Sequence, residues 1–528
     1  MSDKTQSTAV SEKEFSEQQL NYVYENRRYV GRKETVGFVL WDAAQSFHIN
    51  TYSDRFITSV VGIDLGLQSI IGVVNGIWDV VNDIFMGAIV DKTRTRWGKF
   101  RPYLLILAIP ACILTMLYWM QPLFFPGRSD VDITKFICYF ALTIIREGVG
   151  TFQSISRTGL LSTITPHPIE RTRLITIANF ASGTFGEKLP EQIMTVLLDL
   201  IDRKKIGKGK TKAQLYMPTF VGMGVFTTLV SSAMSMFFFF NSKERVLQSI
   251  ESPSVVQGFK SILNNKPVLL ITLSDFLGSF SVGGSKSDYY IDVLHFASLT
   301  LIAGIPAAPI SPISYTYVPW LRQRFSSRAL YIVSKYIDPI LKTFVFLFGC
   351  IGMNRKTFAG GMYQKLVPMG IAMAIWEVIW TLFYGLRSVI NTEIYNECMD
   401  YCEWKNGYRT EAMTSVAKGL AAKVAFVCSS TIAKMIKKAV RYDTSAYMDG
   451  REQPDKVKFF LFAMFTIIPS VTGALGIIPL FFYDLTGKKK ERMYAELLER
   501  RSKVLAIADG GDAEALAEAS KLQYDVDN

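Results

Sequence analysis

From residue 36 to residue 485 the chain alternates long apolar runs with short polar and basic stretches. With Gly, Pro and charge runs as punctuation, the pattern predicts twelve helical segments. They lie at about 36–61, 65–90, 103–125, 134–164, 173–201, 216–241, 267–292, 296–321, 329–353, 367–395, 411–439 and 457–483. Several runs are long enough to cross a bilayer, which a soluble core does not need. Residues 242–266 are polar and amphipathic and read as a connector between two six-helix halves, 36–241 and 267–485. The tails, 1–35 and 486–528, are charged, and the second opens on Gly487, Lys488, Lys489 and Lys490. Apolar spans flanked by basic loops place a chain across a membrane with the basic side in the cytoplasm. Both tails are therefore expected there, in a multi-pass protein of the cell membrane with no cleavable leader ahead of the first segment.

Composition narrows the class further. The 528 residues are 49% hydrophobic and 20% charged and include 36 Phe. The fold class is an all-α membrane protein. A net charge of +12 arises mainly from Lys and Arg in loops and tails, where they orient helices, so nucleic acid is not an expected partner. Six Cys are scattered, with Cys398 and Cys402 assigned to a loop, and form no metal or disulfide framework. Two basic clusters run against the expected sidedness: Arg203 to Lys212 after segment 5, and Lys434, Lys437, Lys438 and Arg441 ending segment 11. Lys434 and Lys437 are read as snorkelling to the interface. No phosphate-binding loop and no nucleophile paired with a base appears, so neither an enzyme nor a nucleotide-driven pump is expected, and no organic cofactor is implied.

Segment 2 carries the chemistry. Asp79, Asn82 and Asp83 fall at i, i+3 and i+4, on one helix face inside an apolar run. An ionised Asp at mid-bilayer costs about 2.5–3.5 kcal/mol on insertion scales, so such groups mark ion or substrate pathways. The segment ends on Asp91 and a basic loop, Arg94, Arg96, Trp97, Gly98, Lys99, Phe100 and Arg101. Arg322, Arg324 and Arg328 after segment 8 echo that loop, and Arg171 and Arg409 sit in matching loops after segments 4 and 10. A duplicated six-helix unit is the build of many secondary transporters, with the site near the midplane between the halves.

The motif Asp79-x-x-Asn82-Asp83, Gly87-x-x-x-Asp91, Arg94-x-Arg96-Trp97-Gly98-Lys99-Phe100-Arg101-Pro102 resembles the signature of the glycoside–pentoside–hexuronide:cation symporters, the melibiose permease group of the major facilitator superfamily. A second match runs from Asp400 through Glu403, Trp404, Lys405 and Gly407 to Arg409, Thr410 and Glu411. The resemblance implies twelve helices in two pseudo-symmetric bundles, and symport by alternating access. It further implies a coupling cation, Na⁺ or H⁺, at Asp79, Asn82, Asp83 and Thr151, with any Na⁺ on Asp79 and Asp83. Lys423 takes the position of a lysine linking cation and sugar sites, or is a structural ion pair. Asp91, Arg94, Arg96, Arg101 and Arg409 then form charge pairs that close one face. The solute is expected among Asp42, Gln45, Ser154, Arg157, Thr158, Asn179, Ser388 and Lys423.

Here the chain departs from its relatives. Ser154 stands where the family has a sugar-binding carboxylate, and Asn179 where it has an arginine. Arg157 is new, and either clamps an acidic group or pairs with Glu147 or Glu187. Trp376 and Trp380, at i and i+4, stack a sugar ring or simply pack. The expected partner is a small sugar or glycoside, carried by a monomer in the lipid bilayer. The rivals are a symporter of the same build for an organic anion or lysolipid, and a membrane sensor that has lost transport.

Overall fold

In the computed structural model the protein is described over residues 30–497, except 94, 96, 97, 99, 127–128, 165–172, 175–176, 179–180, 208, 244–262 and 407–410. Within helices, the side chains at 80, 83, 84, 87, 88, 91, 92, 157–159, 161–163, 184, 392, 406, 411–418 and 420 also lie outside the description. The described residues are helical, and their single β-bridge is an isolated one, Thr95 to Gly98.

By length and composition alone, Arg101–Phe124, Lys212–Asn241 and Leu366–Lys405 are apolar enough to cross a membrane. Other segments are broken or carry charges, and these features build the interior. Segment 1 runs as Arg32–Ser46, breaks, and resumes through a 3₁₀ turn, Asn50–Tyr52, and a π turn, Phe56–Val61. It stops at Gly62, whose φ of +69° is accessible to glycine at little cost. The carbonyls freed at that stop are not orphaned. Lys135, buried at the start of segment 4, donates from Nζ to Val61 O at 2.9 Å and Gly62 O at 2.6 Å.

Segment 2, Leu65–Lys92, starts on Asp64, which accepts from the backbone N–H groups of Gly66 and Leu67. Partial burial pushes the Asp64 carboxyl up, but Lys438 and the two N–H bonds outweigh it and hold the group below its ordinary range. Asp64 therefore stays ionised, and paired to Lys438 at 2.8 Å, throughout the range where histidine titrates. Segment 4, Ile133–Thr163, is capped in the same manner by Asp132.

Segment 7 is split into Lys266–Ser279 and Lys286–Asp292, and segment 8 into Leu299–Gly304, Ile310–Thr316 and Val318–Arg324. Segment 12 bends by 42° between Asp455–Phe465 and the stretch that begins at Ile467. Segment 10 differs from its expected end. It continues through Tyr384–Asn406, so Cys398 and Cys402 are buried on a helix and not in a loop. Cys398, Met399 and Tyr401 join Met493 and Leu497 of the carboxyl tail in one apolar cluster. Trp404 Nε1 also donates to Glu496 Oε2 at 2.6 Å. This stretch packs against the carboxyl tail, and its mean hydropathy is low although it is helical.

Elements before residue 244 pack mainly with one another, as do those after residue 262, and one long seam joins the two halves. There segment 2 lies along segment 11, Glu411–Ala439. Close approach depends on Gly76, where an added Cβ would sit 2.3 Å from Val427 Cγ2. The seam brings the polar face of segment 2 to the lysines of segment 11.

Candidate functional site

Segment 2 turns its polar face toward segments 4 and 11. Asp79 Oδ2 meets Lys423 Nζ at 2.9 Å, an ion pair between the halves with both side chains part-exposed. One turn on, Asn82 is buried and donates from Nδ2 to Thr151 Oγ1 at 2.7 Å. That bond leaves Asn82 Oδ1 buried with no hydrogen-bond partner among the described residues. A carboxylate, an unfilled amide oxygen and a hydroxyl are hard oxygen donors of the kind that hold a dehydrated Na⁺. The same Asp79 carboxylate is also where a proton would displace Lys423.

Asp83 lies on the same helix with its side chain outside the described residues. The side chains of Asp91 on segment 2 and of Arg157 and Thr158 on segment 4 are likewise outside the description, while Asn179, Arg94, Arg96 and Arg409 lie wholly outside it. Asp42 is buried and accepts from Ser182 Oγ at 2.6 Å, which ties segment 1 to segment 5. Ser154 and Ser388 are exposed on their helices. Arg101 donates from Nε to Ser242 Oγ at 3.2 Å and from Nη2 to Phe239 O at 3.0 Å, both at the end of segment 6 in its own half. Trp376 is buried, donates to Asp338 Oδ1 at 3.0 Å, and has Lys286 and Lys342 at 5.3 and 5.5 Å from its ring centroid. Trp380 lies under Arg387. These rings are engaged by cations and packing.

Gln45 lines a cavity of about 280 Å³ inside the first half, between segments 1, 3, 4 and 6. His48, Arg146, Glu147, Gln153 and Ser232 share its wall. The break in segment 1 supplies His48 and Asn50 at membrane depth, where irregular backbone is tolerated because it lines a polar cavity.

At the end of the molecule away from the tails, charged side chains cross between the halves. Arg55 of segment 1 pairs through Nη2 with Asp292 at 2.8 Å and with Asp288 at 3.4 Å, both on segment 7. Lys437 of segment 11 reaches Asp288 at 2.6 Å, and Tyr442 donates to Asp292 at 2.8 Å. Arg55, Asp288 and Asp292 are only 4%, 6% and 2% exposed. Lys437 is thus a part-buried ion-pair member and not the interfacial snorkeler the sequence suggested; hydropathy does not register the acids that meet it. A second latch follows. Tyr447 donates to Asp202 at 2.9 Å and contacts the Tyr216 hydroxyl at 2.5 Å, while Asp199 accepts from the N–H groups of Ala297 and Ser298. The basic clusters that run against the expected sidedness are thereby matched by acids: Lys212 pairs with Asp202, Lys438 with Asp64 and Lys437 with Asp288. At the tail end, the described pairs Lys266–Asp484 and Lys490–Glu397 stay within the second half, and Glu34 accepts from Lys243 N within the first.

Sequence reasoning missed the Arg55, Asp288, Asp292 and Tyr442 network. One signal was present: Asp288 and Asp292 repeat at segment 7 the i, i+4 carboxylate spacing of Asp79 and Asp83.

Two helical halves, meeting along one seam, with a mid-depth ion pair between them and one end shut by buried charges, define a secondary active transporter of the major facilitator build. The chain belongs to the MFS/sugar transport protein family, whose model matches residues 39–487. It is 25% identical over 472 residues to the isoprimeverose transporter of Lactiplantibacillus pentosus, covering 87% of this chain and 89% of that one. It is likewise 25% identical to the inner membrane symporter YicJ of Escherichia coli strain K12, over 88% of this chain and 95% of the relative. Among solved structures, a D-xylose-proton symporter superposes with a TM-score of 0.52 at 13% identity, over 87% of this chain and 97% of that one. A bacterial homologue of the human lysosomal transporter Spinster, inward-facing and unoccupied, gives 0.53 at 12% identity, over 89% and 97%. The all-α major facilitator fold of a multi-pass membrane protein follows.

Proposed function

We propose that this protein couples entry of a sugar or glycoside to a cation bound at Asp79, Asn82, Asp83 and Thr151, and that it works as a monomer with both tails in the cytoplasm. The observation that carries the reading is the Lys423–Asp79 pair beside the open Asn82 oxygen. With no cation, Lys423 neutralises the acid and joins the halves. When the cation takes the carboxylate the lysine is released, and that change of partner links ion binding to the seam between segments 2 and 11. With the tails inside, the charge network of Arg55, Asp288, Asp292 and Lys437 shuts the external end. The family match and the names of the relatives favour a sugar as solute, and the residues of segments 1, 4, 5, 10 and 11 offer it hydroxyl, amide and carboxylate partners. Arg157, three residues after Ser154 in the sequence, favours an acid-bearing glycoside over its neutral analogue.

Proteoliposomes test this with labelled pentose disaccharides, glucuronides and galactosides, under a Na⁺ gradient and then a pH gradient. The expected result is accumulation of at least one glycoside under one gradient, abolished by collapsing that gradient. Failure of every sugar under both gradients rejects the reading.

A further inference from the structure

One residue of the first-half cavity stands a helical turn from the cation site, and neither the sequence motif nor the family match assigns it a role. Glu147 sits on segment 4 one turn before Thr151 and lines the cavity with Gln45, His48, Arg146 and Gln153. It is also within Coulombic reach of Asp79 and Lys423. Its neighbour Gly148 backs onto Asn82, whose Oδ1 would lie 3.8 Å from a Cβ there. Glu147 thus stands in the partition between the polar cavity and the cation ligands.

Its own bonding is incomplete. Among the described residues no hydrogen bond or ion pair is made by its carboxyl group, while the adjacent Arg146 is turned onto the Tyr118 ring at 4.0 Å. Among the described residues the charged groups within Coulombic reach of Glu147 are Arg146 on its own helix, Asp79 on segment 2 and Lys423 on segment 11; His48, on the same cavity wall, has Arg146 and Glu187 within its own reach. Segments 3 and 6 contribute Thr115, Thr228, Ser231, Ser232 and Ser235, which are hydroxyls only. A carboxyl group at membrane depth with no salt-bridge partner among the described residues, lining a polar cavity with a histidine on its wall, matches the parts of a proton relay. The cavity is polar and roomy enough to hold several waters.

From this we infer that Glu147 is a proton-binding group of the coupling site, fed with protons through the cavity of the first half, so that the transporter runs on H⁺. A proton delivered through water adds to a Glu147 oxygen and cancels one negative charge within Coulombic reach of Lys423 and Asp79. Its departure to the opposite side restores that charge. This alters the balance that holds Lys423 on Asp79, and so the seam, without any metal ligand changing. The inference rests on the symport reading above for its purpose, but not for its detection.

The test is infrared difference spectroscopy of the full-length protein in lipid, without any solute, between about pH 5 and pH 9. A protonated-carboxyl band in the wild type, absent in Glu147→Gln and shifted in Glu147→Asp, is expected. In parallel, any glycoside that the wild type accumulates under a pH gradient should lose at least tenfold of its uphill uptake in Glu147→Gln, keep its exchange, and regain uphill uptake in Glu147→Asp. A merely structural role would depress exchange as well. No Glu147-dependent band, or unchanged pH-driven accumulation in Glu147→Gln, overturns the inference. A Glu147-dependent band in a protein that moves no sugar supports the proton site and rejects the symport reading alone.

Discussion

Lys423 and Asp79 form a pair whose value lies in being broken. Placed between the halves with part of each side chain exposed, the pair escapes the full desolvation penalty of a deeply buried one. It can therefore exchange partners with an incoming cation. Lys423→Gln removes the competitor and leaves the carboxylate. We expect solute exchange to persist near the wild-type rate while gradient-driven accumulation falls at least tenfold, and Asp79→Cys to abolish accumulation while leaving solute binding in detergent. Normal uphill uptake by Lys423→Gln would reduce the lysine to a packing residue; parallel measurements of exchange and net uptake distinguish the two. Asn82 belongs to the same scale. Its amide is spent on Thr151, and the oxygen it leaves unfilled is the feature that makes the cluster a ligand set and not just a hydrogen-bonded pair.

Segments 2 and 11 have to slide or rock against each other if the halves are to alternate, yet they must lie close enough for Lys423 to reach Asp79. Gly76 meets both demands by removing the side chain that would hold Val427 off. A bulkier residue forces a shift of the backbone or of Val427, and overpacking of this kind costs about 1–3 kcal/mol. Gly76→Val should therefore lower the thermal midpoint and the uptake rate together, and Val427→Gly in the same chain should restore most of both. A double variant as unstable as Gly76→Val would show that the seam is not the point of contact. Thermal unfolding in detergent and initial uptake rates give the two readouts. The extension of segment 10 through Asn406 is a second case in which one element is defined by its partner: Met493 and Leu497 cover the face that would otherwise be exposed.

The whole molecule is shut at one end by charges taken out of water. Breaking a buried ion pair by removing one partner costs about 3–5 kcal/mol, enough to move a two-state equilibrium by more than a hundredfold. Arg55 answers two acids, Asp288 and Asp292, and it comes from the opposite half. Arg55→Gln should destabilise the state closed at this end and shift the population toward the one open there. A cysteine introduced at Thr58, which is buried here, should then react with a membrane-impermeant maleimide at least tenfold faster than in the wild-type background. Equal reactivity in the two backgrounds would mean that the tyrosine and Asp199 contacts hold the end closed without Arg55.

Helical segments, the all-α class and the polar face of segment 2 were all legible in the chain, because membrane depth makes apolar length and stray charge unusually informative. The pattern Asp79, Asn82 and Asp83 is local, one turn of one helix, and periodicity alone places it on a face. Everything that depends on a partner far along the chain was decided by tertiary structure. Asp288 and Lys437 read separately as a charge at a broken span and a basic helix end, and only packing turns them into an ion pair spanning segments 7 and 11. The kink that puts His48 on the cavity wall, the orphaned oxygen of Asn82 and the position of Glu147 between cavity and cation ligands likewise have no one-dimensional signature. A sequence records which groups need a partner, whereas the energy of burying a charge is settled by which group meets it in space.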